Sequence, residues 1–206
     1  MNKKWISLIL AFAMCLSLCV PAFASDSKED DETIAIGGTQ YIVERVLTDR
    51  YSQAIIRNAA TKAVVQNVIY YYDRNILVDE LSRQVIVPAS TSAKNGVHSN
   101  QVDDGLYEYK GTYTYNFTIA ELGIVGTAAA IVALHPGVAT AVVTAVVAEA
   151  IKNGLSSIYA SQEFYSYRAK EGGVYYLYVK RITSIYSNDG SLLAGPWTSY
   201  QRIREK

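Results

Sequence analysis

The sequence predicts an α+β protein, in which an antiparallel β-sheet or sandwich-like meander carries an inserted apolar helical hairpin or kinked helix. Three observations support this class. Short runs rich in β-branched and aromatic residues alternate with turn residues over most of the chain. One later run alternates aromatic and polar residues, which is the two-residue period of a strand. A long stretch without Asp, Glu, Lys or Arg follows it, and the chain thus divides into residues 1–24, 25–32, 33–117, 118–154 and 155–206.

The N-terminus has the three-part layout of an export signal. Lys3 and Lys4 precede an apolar run, and Ala22-Phe23-Ala24 supplies a small-residue cleavage site. We therefore expect cleavage after Ala24 and a secreted protein, with association with the cell surface also open. An uncleaved anchor is the alternative, but the apolar run is shorter than the about 20 residues that span a bilayer.

Composition excludes several kinds of chemistry. Cys15 and Cys19 both lie within the signal, so the mature chain can form no disulfide, thiol nucleophile or thiolate metal site. The 19 basic and 19 acidic residues balance, which argues against nucleic acid as a partner. His98 and His135 have no partners at metal-ligand or triad spacing. We expect no metal, no cofactor and no enzymatic activity, and the oligomeric state stays open.

Residues 25–32 are acidic and contain no residue expected to anchor them in a core, so they are predicted to form a solvated leader. Turn residues then separate runs that favour antiparallel strands. The polar segment from Pro88 to Gly105 is predicted to be the longest loop. The predicted strands of this region are Thr33–Ile36, Tyr41–Leu47, Tyr51–Arg57, Ala63–Tyr72 and Ile76–Val87.

The clearest strand pattern runs from Leu106 to Phe117. Aromatic residues occupy odd positions, and polar residues such as Glu108 and Lys110 lie between them. Since side chains alternate across a strand, we expect one aromatic face and one solvated face. The aromatic residues are Tyr107, Tyr109, Tyr113, Tyr115 and Phe117.

Residues 118–154 are predicted to be helical. Thr118 and Glu121 form a capping-box pattern, in which each side chain accepts a hydrogen bond from a backbone N–H of the first turn. Lys152 followed by Gly154 is typical of a helix C-terminus. Pro136-Gly137 interrupts the stretch near its middle, so both a hairpin of two helices and one kinked helix are compatible with the pattern.

The hydrophobicity of this segment is borderline for membrane insertion. Its Leu, Ile and Val residues together favour insertion by about 3 to 7 kcal/mol, and the proline, glycines, His135 and threonines oppose it. Three roles remain open: conditional insertion from a water-soluble form, a structural hairpin that covers the aromatic strand, and a permanent transmembrane helix. The residues predicted to contact a membrane are Leu122, Ile124, Val125, Ile131, Val132, Leu134, Val138, Val142, Val143, Val146 and Val147.

The C-terminal region returns to β character and is rich in tyrosine. Strands are predicted over Ser161–Arg168, Val174–Ile185 and Trp197–Ile203. Tyrosine rings here could lie at a bilayer interface, on a glycan, or simply against one another across strands. Basic residues outnumber acidic ones after Ala150, so an anionic envelope would attract this end.

The layout as a whole resembles that of geobacillin-type secreted bacteriocin-like proteins of Gram-positive bacteria. The shared elements are the signal end Val20-Pro21-Ala22-Phe23-Ala24-Ser25, the strand Tyr41-Ile42-Val43-Glu44-Arg45, and a Gly/Ala/Val segment before a Tyr-rich basic end. The resemblance implies an exported antimicrobial protein that acts on a bacterial membrane or cell envelope. The alternatives are a non-enzymatic secreted or cell-surface binding module with the helices as structural core, and a membrane-anchored envelope protein.

Overall fold

The computed structural model describes residues 31–91 and 106–205. The predicted signal, residues 25–30 of the predicted leader and most of the predicted loop at 88–105 lie outside this part of the chain. Two antiparallel sheets and two helices make up the described part, so the predicted α+β class is confirmed at that level.

Sheet A has six strands that neighbour one another in chain order, because each pair is joined by a short turn. Its strands are β1 (Glu32–Ile36), β2 (Thr39–Leu47), β3 (Tyr51–Asn58), β4 (Val64–Tyr71), β5 (Ile76–Asp79) and β6 (Val85–Ile86).

Sheet B has five strands in the order β11-β10-β9-β8-β7, again with antiparallel neighbours. Its strands are β7 (Ala89–Thr91), β8 (Glu108–Thr118), β9 (Ser157–Glu171), β10 (Val174–Ser187) and β11 (Leu192–Arg204).

Several strand predictions need correction. The run at 76–87 is two strands, because a turn at Glu80–Gln84 folds β6 back onto β5. Residues 89–91 are not loop, since β7 pairs with β8. The strand predicted from Ser161 begins at Ser157, and Gly195-Pro196 lies within β11 instead of preceding it.

Most of helix α1 (Ile119–Leu134) lies in the interior of the molecule. It contacts β3, β4 and β5 of sheet A and β8 and β9 of sheet B. Every residue from Gly126 to Leu134 is buried, so no side of this part of the helix faces water. A surface that is apolar on all sides is typical of a helix that is buried in a protein core or in a membrane.

Helix α2 (Thr140–Lys152) packs on α1 and reaches β1, and its outer side faces solvent. Pro136 lies in the interruption between the two helices, from His135 to Ala139.

Glu32 corrects the predicted leader, because this residue begins β1 and anchors α2. Its carboxylate accepts the backbone N–H groups of Thr140 at 2.9 Å and Ala141 at 3.0 Å. It also pairs with Arg45 at 2.6 Å. A carboxylate at a helix N-terminus satisfies amides that have no partner within the helix and interacts favourably with the helix dipole.

The predicted capping box is wrong in its hydrogen bonds. Thr118 is the N-cap residue of α1, but its side chain makes no cap hydrogen bond. Glu121 instead accepts from the Gln84 side chain at 3.4 Å. The helix is also interrupted at Gly123, whose φ of 66° kinks it just after its first turn.

Candidate functional site

The residues predicted to contact a membrane fall into two groups. Six are buried in the core, namely Ile131, Val132, Leu134, Val138, Val143 and Val147. The other five are half-buried and pack against that core, namely Leu122, Ile124, Val125, Val142 and Val146. Neither helix of the described residues is long and apolar enough to cross a membrane.

The predicted break and end of the helices lie at the surface or near it. Pro136 is half-buried, and its carbonyl accepts a hydrogen bond from Arg45 at 3.0 Å. Gly137 is exposed. Gly154 follows α2 with a φ of 77° and donates its N–H to the Ile151 carbonyl at 2.8 Å, which closes the C-terminal turn.

Polar side chains hold the C-terminal end of α1 between the sheets. The Ser52 hydroxyl of sheet A donates to the Ala133 carbonyl. The Gln162 amide of sheet B donates to the Leu134 carbonyl at 3.3 Å. Since carbonyls in the last turn of a helix have no partner within the helix, these bonds from both sheets fix the helix end in place.

His135 caps this helix end inside the core. It is 1% exposed, its Nδ1 has no hydrogen-bond partner among the described residues, and its ring lies 6.1 Å from that of Trp197. Burial, together with the positive charges of Arg181 and Arg45, lowers its pKa to about 3. The imidazole is therefore neutral at ordinary pH.

Arg181 is the buried cation of the interior. It is 4% exposed, and its guanidinium lies between the rings of Tyr72 at 4.7 Å and Phe164 at 5.3 Å. Its Nη1 donates to Gln201 at 2.8 Å. Aromatic faces attract cations, and this attraction offsets part of the cost of removing the charge from water.

The predicted aromatic face of β8 is split between two sides of sheet B. Tyr115 and Phe117 face inward and are fully buried. The register shifts between Tyr109 and Gly111, where two steps along β8 match one step along β9. Because a shift of one residue reverses the side that each side chain occupies, Tyr107 and Tyr109 face outward.

Sequence reasoning missed this reversal, although Gly111 is a signal for it. Gly111 has a φ of 149°, which residues other than glycine rarely adopt. A glycine inside an alternating strand often marks a bulge.

The outer side of sheet B carries a surface that we call the tyrosine face. Ala160 and Gln162 on β9 and Ile185 on β10 are buried and point inward. Since side chains alternate along a strand, every second residue of β9 and β10 points inward with them, and the residues between point outward. The tyrosine face consists of Tyr107, Tyr109, Tyr159, Tyr165, Tyr167, Tyr176, Tyr178, Tyr186 and Tyr200.

The rings of the tyrosine face lie against one another across the strands. Tyr167 stacks on Tyr178 with centroids 4.7 Å apart, and Tyr107 meets Tyr167 edge-on at the same distance. Tyr159 stacks on Tyr186 at 5.2 Å. Such cross-strand aromatic pairs stabilise a sheet.

Lys180 lies in the middle of the tyrosine face. In the sheet register it stands opposite Tyr165 on β9 and Tyr200 on β11. Its ammonium is 5.7 Å from the Tyr165 ring and 5.9 Å from the Tyr107 ring. None of the ion pairs formed among residues 31–91 and 106–205 includes Lys180.

Within the described ranges, no group of three or more His, Cys, Asp or Glu residues is placed to hold a metal ion. Comparison with known proteins adds no relative: no family model, no curated protein and no solved structure matches the chain.

Proposed function

We propose that the protein is a non-enzymatic exported binding module that attaches to the bacterial cell envelope through the tyrosine face. The observation that carries this proposal is the contrast between its two apolar features. Residues 126–134 of helix α1 are enclosed by the two sheets and α2, whereas an aromatic surface with a central cation covers the outside of sheet B.

The proposal treats the apolar helical hairpin as structural core. Bonds from Ser52 and Gln162 hold the end of α1, and Glu32 holds the start of α2. Each of these contacts would have to break before the helices could leave the sheets. Burial of the helices therefore supports a scaffold, and function falls to the outer surface.

Tyrosine suits a surface that binds a hydrated polymer. Its ring gives flat apolar area with little conformational entropy to lose, and its hydroxyl group forms hydrogen bonds. Tyr200 is 45% exposed, so part of this surface is open to solvent.

Co-sedimentation with purified Gram-positive cell-wall fragments tests the proposal. The double variant Tyr178→Ala/Tyr200→Ala is expected to lower retention on the wall at least about tenfold, which is the size of one modest contact. The matched control is Tyr51→Ala/Tyr71→Ala, because these two rings pair at 6.1 Å on the outer side of sheet A. Failure of the unaltered protein to sediment with the wall, or equal losses in both double variants, would reject the proposal.

A second candidate is the membrane-active, bacteriocin-like role, in which α1 and α2 leave the sheets at a target membrane. Its specific support is that residues 122–148 carry no charge, and that residues 126–134 of α1 are kept from water by the sheets and α2. The candidate predicts release of dye from anionic lipid vesicles at micromolar protein. Intact vesicles would exclude it and leave the binding module.

A further inference from the structure

We infer that acid releases α2 from the rest of the molecule while the two sheets stay folded. The release begins at the N-terminal end of α2 and at residues 135–139 before it. Two ionisable side chains, Glu32 and His135, hold this part of the chain, and both hold it less well as the pH falls. The inference concerns a conformational change of the helices and goes beyond the proposed function of the tyrosine face.

One arginine joins sheet A to the start of α2. Arg45 donates to the Pro136 carbonyl at 3.0 Å and to the Thr140 hydroxyl at 2.9 Å. It also pairs with the Glu32 carboxylate at 2.6 Å, and that carboxylate accepts the backbone N–H groups of Thr140 and Ala141. We call these five residues the latch, because they fasten the first turn of α2 to β1 and β2.

His135 lies directly before the latch and faces positive charge. Its ring is buried, and the charges that act on it are those of Arg181 on β10 and Arg45 on β2. Trp197 of β11 is uncharged, and the first charged residue of α2 is Glu149, three turns away from its start. A proton on the buried ring would add a third positive charge, so His135 takes up a proton much more readily once it reaches water.

Acid therefore acts on both groups in the same direction. Burial, with the charges of Arg181 and Arg45, lowers the pKa of His135 to about 3, whereas the exposed group has its usual value of 6.5. Burial alone would raise the pKa of Glu32, but its hydrogen bonds to α2 and the charge of Arg45 lower it. Through His135 alone, the ratio of released to closed protein rises about 25-fold from pH 7 to pH 5, and Glu32 adds to this below its ordinary pKa.

The latch lies at the surface, so it can open without separating the sheets. Of residues 136–139 between the helices, only Val138 is buried, and the outer side of α2 faces solvent. The inner side of α2 packs on α1 through residues that include Val143 and Val147. Release of α2 would expose these valines together, so the released form presents an apolar surface that the closed form conceals.

Trp197 provides a local probe of this release. The two tryptophans of the chain are Trp5, in the predicted signal, and Trp197, whose ring lies 6.1 Å from that of His135. In protein without the signal, tryptophan fluorescence therefore reports events beside His135, whereas far-UV circular dichroism reports the secondary structure as a whole. During acidification, the fluorescence is expected to change at a higher pH than the circular dichroism does.

Hydrogen exchange locates the segment that opens. Exchange of the α2 amides, relative to the rates of an unstructured chain at the same pH, is expected to rise about 25-fold from pH 7 to pH 5 while β10 stays protected. His135→Leu is expected to remove this rise. Glu32→Gln is expected to raise exchange of α2 about fivefold already at pH 7, as loss of a helix cap does. Glu149→Gln, at the other end of α2, is the control and is expected to change neither.

Coincident changes in fluorescence and circular dichroism would overturn the inference, because they would show that acid unfolds the molecule as a whole. A rise in α2 exchange that is the same in His135→Leu would overturn the role of the histidine. If His135→Leu does not fold, the comparison of the two optical signals in the unaltered protein still decides the question. None of these measurements involves the cell wall, so their failure leaves the proposed function standing.

Discussion

The two faces of sheet B show how neighbouring residues acquire different tasks. Lys180 and Arg181 are adjacent in β10, and each cation lies near two aromatic rings, but on opposite sides of the sheet. Arg181 faces inward, where its guanidinium lies over the ring of Tyr72 just after β4 in sheet A, and its Nη1 donates to Gln201 on the neighbouring strand β11. Lys180 faces outward among the tyrosines. The inner face thus serves stability, and the outer face carries the surface that we propose for binding.

The sharpest test of this difference uses two isoleucines of the same strand. Ile185→Ala on the inner face is expected to cost about 3 kcal/mol of unfolding free energy, because Ile185 is 1% exposed and its removal leaves a cavity. Ile182→Ala on the outer face is expected to cost about 1 kcal/mol, since this residue is half-buried. Urea unfolding of both variants measures the two losses. Equal losses would contradict the division between the faces.

The second prediction concerns the neutral histidine of the interior. His135 has a pKa of about 3 in the folded protein, whereas it is near 6.5 when unfolded. The unfolded chain therefore binds the extra proton as pH falls below 6.5, and stability decreases on acidification. The expected loss between pH 7 and pH 5 is about 2 kcal/mol for this group.

Chemical unfolding at a series of pH values tests this prediction. His135→Leu is expected to flatten the pH dependence in that range. His98→Gln removes the other histidine of the chain and should keep the loss, because the buried residue is still present. A pH dependence unchanged by His135→Leu would show that other groups cause it.

The number and type of secondary-structure elements were predicted from the sequence better than the way in which they pack into layers. Alternation and turn residues located most strands, and Pro136 located the break between the helices. The sequence could not show which side of each strand faces the helix, because a single bulge at Gly111 reverses the outward residues of β8. The tyrosine face could therefore be identified only from the register of the four strands β8, β9, β10 and β11.

Glu32 illustrates why the predicted leader ended too late. Its acidic neighbours made it look like part of a solvated segment, and the partner that explains it is more than 100 positions away, since Thr140 lies at the start of α2. The charge composition of residues 25–32 indicates only that the segment as a whole is acidic. It cannot show that one of its carboxylates binds the N-terminus of a distant helix.

The third prediction uses this contact at the rim of the interior. Burial alone would raise the pKa of Glu32, but hydrogen bonds from Thr140 and Ala141 and the charge of Arg45 outweigh burial and lower it. Its contribution is thus present above the unfolded pKa near 4.5 and is lost as pH falls below it. Glu32→Gln is expected to cost about 1 kcal/mol at pH 7, as removal of a helix cap does.

Guanidinium unfolding would hide this effect through its salt, so urea at pH 7 is the suitable measurement. Glu149→Gln is the control, because Glu149 lies in the last turns of α2 and its carboxylate contacts only the nearby exposed side chains of Lys152 and Asn153 among the described residues. A cost at Glu32 no greater than that at Glu149 would contradict the anchoring role.

The smallest expected effect returns to Lys180 and separates folding from binding. Lys180→Met keeps the aliphatic stem against the rings and loses only the attraction between ammonium and rings, which is worth about 0.5 to 1 kcal/mol near a surface. The variant should therefore unfold in urea close to the unaltered protein while its retention on cell-wall fragments falls. If Lys180→Met instead loses as much stability as Ile185→Ala, the cation belongs to the scaffold of sheet B, and the two faces do not differ in the way that the strand register implies.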